Sequence, residues 1–244
     1  AEIEFVCSPY TRDTKEPRTS VVGGTDDIIA LLDDQIVGAQ GMLGSSFIAP
    51  IYPECKAFER KLIYIQAVVD EWLALQRGGM YLEPIFSSPD ILRQMPTEGR
   101  RFQSVDALWR GTMAKTVEDP SVMAVAENET LLANLKAATE KLDTIQKHLD
   151  DYLETKALVF PRFFFLSNDE LLEILSQTKD PRAVQPYLGK CFEGLAQIKF
   201  AGESKPAGAE RTPADDVIME IRSAEREEVP LVASVDPNQG NKKG

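Results

Sequence analysis

The chain has 244 residues, 43% of them hydrophobic and 27% charged, enough apolar material to bury a core in one large domain or two modest ones. Its 39 acidic against 27 basic residues give a net charge of -12, a surface that repels phosphate backbones and anionic lipid. Nucleic acid and membrane surfaces are therefore set aside as direct partners. Cys7, Cys55 and Cys191 are far apart with no CxxC pair, which reads as reduced intracellular thiols and not as a disulfide framework. The N-terminus lacks the basic and then apolar plan of a targeting peptide, and no apolar run is long enough for a membrane span.

Residues 1–24 carry short β-like runs around Phe5-Val6 and Val21-Val22, which predict a small hairpin or extended lead-in. Thr25 is the expected N-cap of a first helix, with Asp26 and Asp27 where the helix dipole favours negative charge. Ile28, Leu32, Ile36, Ala39 and Leu43 give that helix its apolar stripe. A second helix is predicted between Pro53 and Gly78, with Phe58, Leu62, Ile65, Val69 and Trp72 on its buried face and Gly78 as its C-cap. A third runs over about 97–117, presenting Phe102, Val105, Trp109 and Met113, and Asp119-Pro120 ends it.

The fourth helix, about 130–156, is the clearest object in the sequence. Leu131, Leu135, Ala138, Leu142, Ile145, Leu149 and Tyr152 keep four-three spacing over three heptads, the narrow stripe of a stiff rod packed at a shallow angle. The period then changes. Residues 160–166 are dense in aromatics and read as a short buried strand, with Phe163-Phe164-Phe165 as core; a docking patch is the alternative. Ser167 and Glu170 have the spacing of a capping box opening a helix with Leu171, Leu172 and Leu175 inside. A short helix near 187–192 and a strand at 195–200 follow. Residues 201–216 read as a mobile loop, 217–235 as a β-hairpin, and 236–244 as a tail or cut end. The fold class expected is mainly α: an elongated helical bundle over 25–200 with short β-hairpins or strands near its two ends.

No sequence pattern for catalysis emerges. A phosphate-binding loop needs G-x-x-x-x-G-K-[ST], and the one Gly-Lys pair, Gly189-Lys190, is followed by Cys191 with no glycine at the required offset. His148 is the sole histidine, which rules out a two-histidine metal site, and its place in the fourth helix suits an edge-packed side chain better than a general base. The adjacent pairs Asp26-Asp27, Asp33-Asp34 and Asp150-Asp151 point about 100° apart on a helix and do not converge on one substrate. The expectation is a module without catalytic residues, cofactor or metal of its own.

Two blocks carry a family resemblance. One is Phe160-Pro161-Arg162-Phe163-Phe164-Phe165-Leu166 continuing through Ser167-Asn168-Asp169-Glu170 to Leu175, and the other is Tyr81-Leu82-Glu83-Pro84-Ile85-Phe86 with Asp90-Ile91, Pro96, Glu98 and Phe102. Ile145-Gln146-Lys147, Tyr152-Leu153-Glu154, Val184-Gln185-Pro186, Cys191-Phe192 and Ser223-Ala224-Glu225 complete it. In this order they resemble the linker region of dynein heavy chains over almost the whole chain, and Leu166-Ser167-Asn168-Asp169 is similar to the axonemal branch. Gly79 and Phe58 stand where that family usually has tryptophans, Ala157 where arginine is usual, and Arg226 where glycine is common. By the last but one, a contact through Ala157 is not expected.

The resemblance implies a helical lever in front of a ring of AAA+ modules, bending and straightening as the ring cycles through ATP and so producing a stroke along microtubules. ATP and Mg²⁺ would belong to the ring, the parent chain would be the ATPase, and the ring of the same heavy chain would be the partner. Other dynein subunits are possible partners under an alternative reading, a static stem scaffold. The implied location is the cytoskeleton of a cilium or flagellum, the axoneme. The sequence places a candidate flexure at Gly78-Gly79, for which an ordinary helix end and turn is the plainer reading.

Overall fold

A computed structural model describes residues 3–11, 19–177, 180–204, 212–237 and 239. Helices dominate: α1 (Thr25–Leu43), α2 (Tyr52–Ser87), α3 (Pro89–Gln94), α4 (Pro96–Glu118), α5 (Leu131–Val159), α6 (Asn168–Ser176) and α7 (Leu188–Cys191). Strands β1 (Val6–Tyr10) and β2 (Thr19–Gly23) form one antiparallel hairpin. Strands β3 (Gln197–Phe200), β4 (Ile218–Arg222) and β5 (Glu228–Val235) form a three-stranded antiparallel sheet in that order. The protein is mainly α with short strands near its ends. The predicted second hairpin is present as β4–β5, and β3 adds a third strand to it. Of the loop expected at 201–216, residues 201–204 and 213–216 are short 3-10 turns, and 205–211 lie outside the described residues, as does most of 236–244.

The chain divides into two compact units, one of residues 1–86 and 95–147, the other of residues 87–94 and 148–244. In the first, Ile65, Val68, Leu75, Met113, Leu135 and Ile145 are fully buried. Trp72 lies between the ring of Phe5, 5.5 Å away, and the edge of Trp109, 6.3 Å away. Phe86 stacks on Phe102 at 5.5 Å. In the second unit Ile91, Leu149, Leu153, Leu171, Leu172, Leu188 and Phe200 are buried.

Sheet edges are closed in part by side-chain amides. Gln76 of α2 donates Nε2 to the Val22 carbonyl and accepts the Val22 N–H on Oε1, both at 2.9 Å, standing in for a strand beside β2. Gln185 does the same to Ile198 of β3, donating to its carbonyl and accepting its N–H. Each clamp satisfies one donor and one acceptor that an edge strand otherwise leaves open. On β5, Pro230 and a register jump opposite the Ile218/Glu220 stretch blunt the edge by other means.

Several local expectations are corrected. The residue that caps α1 is Gly24, in the left-handed region at φ 62°, and Thr25 is the buried first residue of the helix. Helix α2 does not stop at Gly78 but continues to Ser87 through Gly78, Gly79 and Pro84. Each glycine costs about 1 kcal/mol in a helix interior, and Pro84 about 3. Burial of Leu82 and Phe86 on the continued face, about 1.5–3 kcal/mol each, offsets much of that cost. Phe58, placed by spacing on the buried stripe, is 40% exposed, whereas Leu62, Ile65, Val69 and Trp72 are buried as expected.

On α5 the stripe is buried from Leu131 to Leu149, but Tyr152 is only half-buried and Leu153 and Ala157 take its place. A strict seven-residue repeat drifts by about 20° per heptad on a straight helix, and by the third heptad Leu153 stands nearer the buried face. Ala157, where no contact was expected, is 4% exposed and therefore packed.

Candidate functional site

The candidate flexure lies in the first unit. Gly78 and Gly79 are consecutive residues of one unbroken helix, and they have different surroundings. A Cβ built on Gly78 would meet Leu142 Cδ1 of α5 at 3.0 Å, so its lack of a side chain lets α2 approach α5 closely. A Cβ built on Gly79 would meet nothing within 4 Å. Gly79 instead borders a cleft of about 30 Å³, room for about one water, beside Leu75, Met80, Glu83, Phe102 and Trp109. One turn further on, Leu82 and Phe86 face the core, Glu83 is half-buried and Tyr81 is exposed.

The aromatic block lies in the second unit, and it is not a strand. Pro161–Phe165 form a 3-10 turn directly after α5, held by Phe163 N–H to the Phe160 carbonyl at 2.9 Å and Leu166 N–H to the Phe163 carbonyl at 3.0 Å. Proline at the first turn position, with its fixed φ and missing donor, favours this start. The run is not core: Val159 is 80%, Phe164 57% and Phe165 67% exposed, and Leu158 is exposed with them. Within the run Phe163 and Leu166 are half-buried, the Phe163 ring edge-on to Phe160 at 4.8 Å.

Polar contacts pin this turn to its surroundings. Arg162 donates Nη1 to the Cys191 carbonyl at 2.8 Å and lies over the Phe192 ring at 4.6 Å. The predicted capping box is present: Glu170 N–H donates to Ser167 Oγ at 3.3 Å, and Ser167 N–H donates to Glu170 Oε2 at 2.9 Å. Asn168 Nδ2 donates to Asp150 Oδ1 at 3.1 Å, tying the start of α6 back to α5. Glu170 also accepts from Lys190. That hydrogen bond, seconded by the Ser167 N–H, lowers the Glu170 pKa. Tyr187 donates its hydroxyl to Glu173, which pushes the phenol up to about 12.

This arrangement fastens and exposes. Burial raises the Cys7 and Cys191 thiols, the opposite of activation, and Cys55 donates its thiol to the Ala39 carbonyl at 3.6 Å. His148 is half-buried in α5, and among the described residues no group of His, Cys, Asp or Glu is placed to hold a metal ion. Nor, among them, is any helix long and apolar enough to cross a membrane.

The residues that match a known family span nearly everything described above. Residues 1–242 match the family model "Dynein heavy chain, N-terminal region 2". The chain belongs to the dynein heavy-chain family. It is 53% identical over 199 residues to dynein axonemal heavy chain 12 of Homo sapiens, covering 82% of this chain and 6% of that protein. With dynein axonemal heavy chain 3 of Mus musculus the identity is 47% over 226 residues, 93% of this chain and 5% of that one. With dynein axonemal heavy chain 1 of Rattus norvegicus it is 44% over 238 residues, 98% of this chain and 5% of that one. The dynein sequence here thus spans about a twentieth of the length of the relatives it matches.

Gln76 and Arg182 belong with these residues and carry no signal in the sequence, and Gln185 is marked there only as part of a family block. Arg182 donates Nη1 to Asp216 at 2.7 Å and Nη2 to the Asp215 carbonyl at 2.9 Å, and lies over Phe200 at 4.8 Å. No local pattern marks a glutamine that will face a strand edge or an arginine that joins segments over thirty residues apart.

Proposed function

We propose that this segment is a mechanical lever of an axonemal dynein heavy chain, carrying nucleotide-driven changes of an AAA+ ring into a stroke along microtubules in a cilium or flagellum. The observation that supports it best is the pair of long unbroken helices: α2 continues for 36 residues through two glycines and a proline, and α5 for 29. A continuous helix resists bending far better than loops of the same span, even where, as at Pro84, one backbone bond is missing, and that is what a force-bearing element requires. Chemistry belongs elsewhere in the heavy chain: ATP and Mg²⁺ act in the ring, and this segment supplies no catalytic group. Its partner is that ring.

The exposed face of Leu158, Val159, Phe164 and Phe165 favours a second reading, a static scaffold that docks other dynein subunits. Paired fluorophores on this segment and on the ring of the intact heavy chain separate the two. Under the lever reading their distance changes between ATP-bound and nucleotide-free states. An unchanged distance, with subunit binding lost on Phe165→Asp, establishes the scaffold and removes the lever.

A further inference from the structure

The first unit carries an apolar groove of its own. Helices α1 and α2 leave between them a groove of about 330 Å³, within the size range of about 300–1,000 Å³ typical of ligand sites. Ile28 and Leu31 line it from α1, Phe58 and Leu62 from α2, and Ile3 and Met123 from the segments beside them. No charged residue lines it. Phe58 and Met123 are both part-exposed at its mouth.

The α1 rim of the groove is acidic, whereas on the other side α2 places Lys61 three residues beyond Phe58. Helix α1 carries Asp26, Asp27, Asp33 and Asp34, all exposed, and no basic residue. Asp27 and Asp34 lie four residues before and three after the groove-lining Leu31, hence on its face of the helix. From Gln35 to Pro53 no charged residue occurs at all, and there Val37, Met42, Ile51 and an 89% exposed Phe47 face solvent. A surface in a chain 27% charged that is apolar in its floor and acidic along one rim selects for a particular occupant.

We propose that this groove receives an amphipathic helix of a protein partner, its apolar stripe seated between α1 and α2 and its flanking lysines or arginines facing Asp27 and Asp34. The apolar floor supplies affinity through i, i+3/i+4 anchors, and the aspartates fix the polarity of the flank. The proposal concerns the first unit alone and does not depend on the lever reading.

The test uses the whole 244-residue chain and three labelled model peptides: a leucine/lysine amphipathic helix, its scrambled isomer, and the leucine/glutamate counterpart. Fluorescence anisotropy is expected to show saturable binding of the first only. Phe58→Asp and, separately, Met123→Asp should weaken it about tenfold or more, the loss of one buried large apolar side chain. Asp27→Asn with Asp34→Asn should weaken it by a smaller factor that vanishes at high salt. Because Phe58→Asp makes the protein more acidic, unspecific attraction to the lysines would leave binding unchanged or tighter, and that outcome overturns the proposal. So does equal binding of the scrambled or glutamate peptide. Self-association in sedimentation equilibrium, abolished by the same two variants, would assign the groove to a second copy of this chain and overturn it too. Both substituted positions are part-exposed, and unchanged helix content by circular dichroism verifies folding.

Discussion

The two adjacent glycines of α2 should respond oppositely to the same substitution. Alanine is favoured over glycine in a helix interior by about 1 kcal/mol, so Gly78→Ala and Gly79→Ala gain the same intrinsic amount. At Gly79 the new methyl meets nothing within 4 Å, and the gain is kept. At Gly78 it arrives 3.0 Å from Leu142 Cδ1 and 3.8 Å from Leu142 Cβ, and Leu142 is buried in the contact of α2 with α5. Turning that leucine off its rotamer costs about 0.5–1.5 kcal/mol, and overpacking in general about 1–3. Gly79→Ala is therefore expected to stabilise by about 1 kcal/mol, and Gly78→Ala to be neutral or to destabilise by up to about 2. Urea titration followed by far-UV circular dichroism measures both, and in a domain of this size 1 kcal/mol corresponds to about 2–4 °C in Tm. Equal stabilisation by both would mean that α2 and α5 do not meet at Gly78. Destabilisation by Gly79→Ala would mean that the helix breaks there. In the intact heavy chain the same variant tests the flexure that the lever reading proposes: gliding velocity and stroke size unchanged by Gly79→Ala, and by the bulkier Gly79→Trp, would remove Gly79 as a bending point.

Arg226 sits in the left-handed region at φ 68°, in the turn that joins β4 to β5, where its N–H donates to the Ser223 carbonyl at 3.1 Å. That conformation costs an L-residue about 1–2 kcal/mol, part of which glycine returns as unfolded-chain entropy, so Arg226→Gly should raise stability by about 0.5–1 kcal/mol in a thermal melt. Tyr187 keeps its proton to about pH 12 in the fold and loses it near 10 when unfolded, so its contribution is complete below pH 10 and lost as pH rises toward 12. Tyr187→Phe should flatten the decline of Tm across that window, and an identical alkaline decline in the variant would disprove the contact with Glu173. Glu170 has the opposite sign: its lowered pKa gives stability that is present above the unfolded value and lost as pH falls through the folded one, and Lys190→Met should reduce that acid sensitivity. Finally, Phe165→Ser should change stability by no more than about 0.5 kcal/mol, whereas a core phenylalanine would cost several; a large loss in the melt would restore the buried-strand reading.

Long periodic segments were legible because their burial pattern is itself the cause of their structure. The stripe from Leu131 to Leu149 and the capping box of Ser167 and Glu170 stand where spacing puts them. Errors fell where a local rule met a tertiary demand. Glycine at 78 has the look of a helix end, yet the helix passes through it because α5 packs against that spot and Leu82 and Phe86 have a core to enter. Phe58 keeps the helical period but opens onto a groove. The aromatic run at 160–166 has the composition of a buried strand, and composition does not record whether anything covers it. Of the candidate site, the family blocks were readable and their exposure was not; the glutamine clamps at Val22 and Ile198 join residues whose sequence gives no hint of the meeting.

The unburied aromatic turn bears on lever and scaffold together. Phe164 and Phe165 are costly to leave in water, each forgoing about 1.5–3 kcal/mol of possible burial, and solubility alone would select against them. Their backbone, by contrast, is held firmly: Arg162 ties the turn to the Cys191 carbonyl, and Asn168 ties the following helix to Asp150. A surface that is apolar and also pre-organised binds with little ordering cost, so it can release and rebind without losing affinity to entropy. That combination serves a permanent interface as well as a contact made in one state of a cycle and broken in another, so a state-dependent measurement has to separate them. If the turn is the cyclic contact, Arg162→Met should loosen it without unfolding the protein. In the intact heavy chain it should then weaken the ring contact in the one nucleotide state that uses the turn and leave the other unchanged. Equal weakening in both states would speak for permanent docking and against the lever.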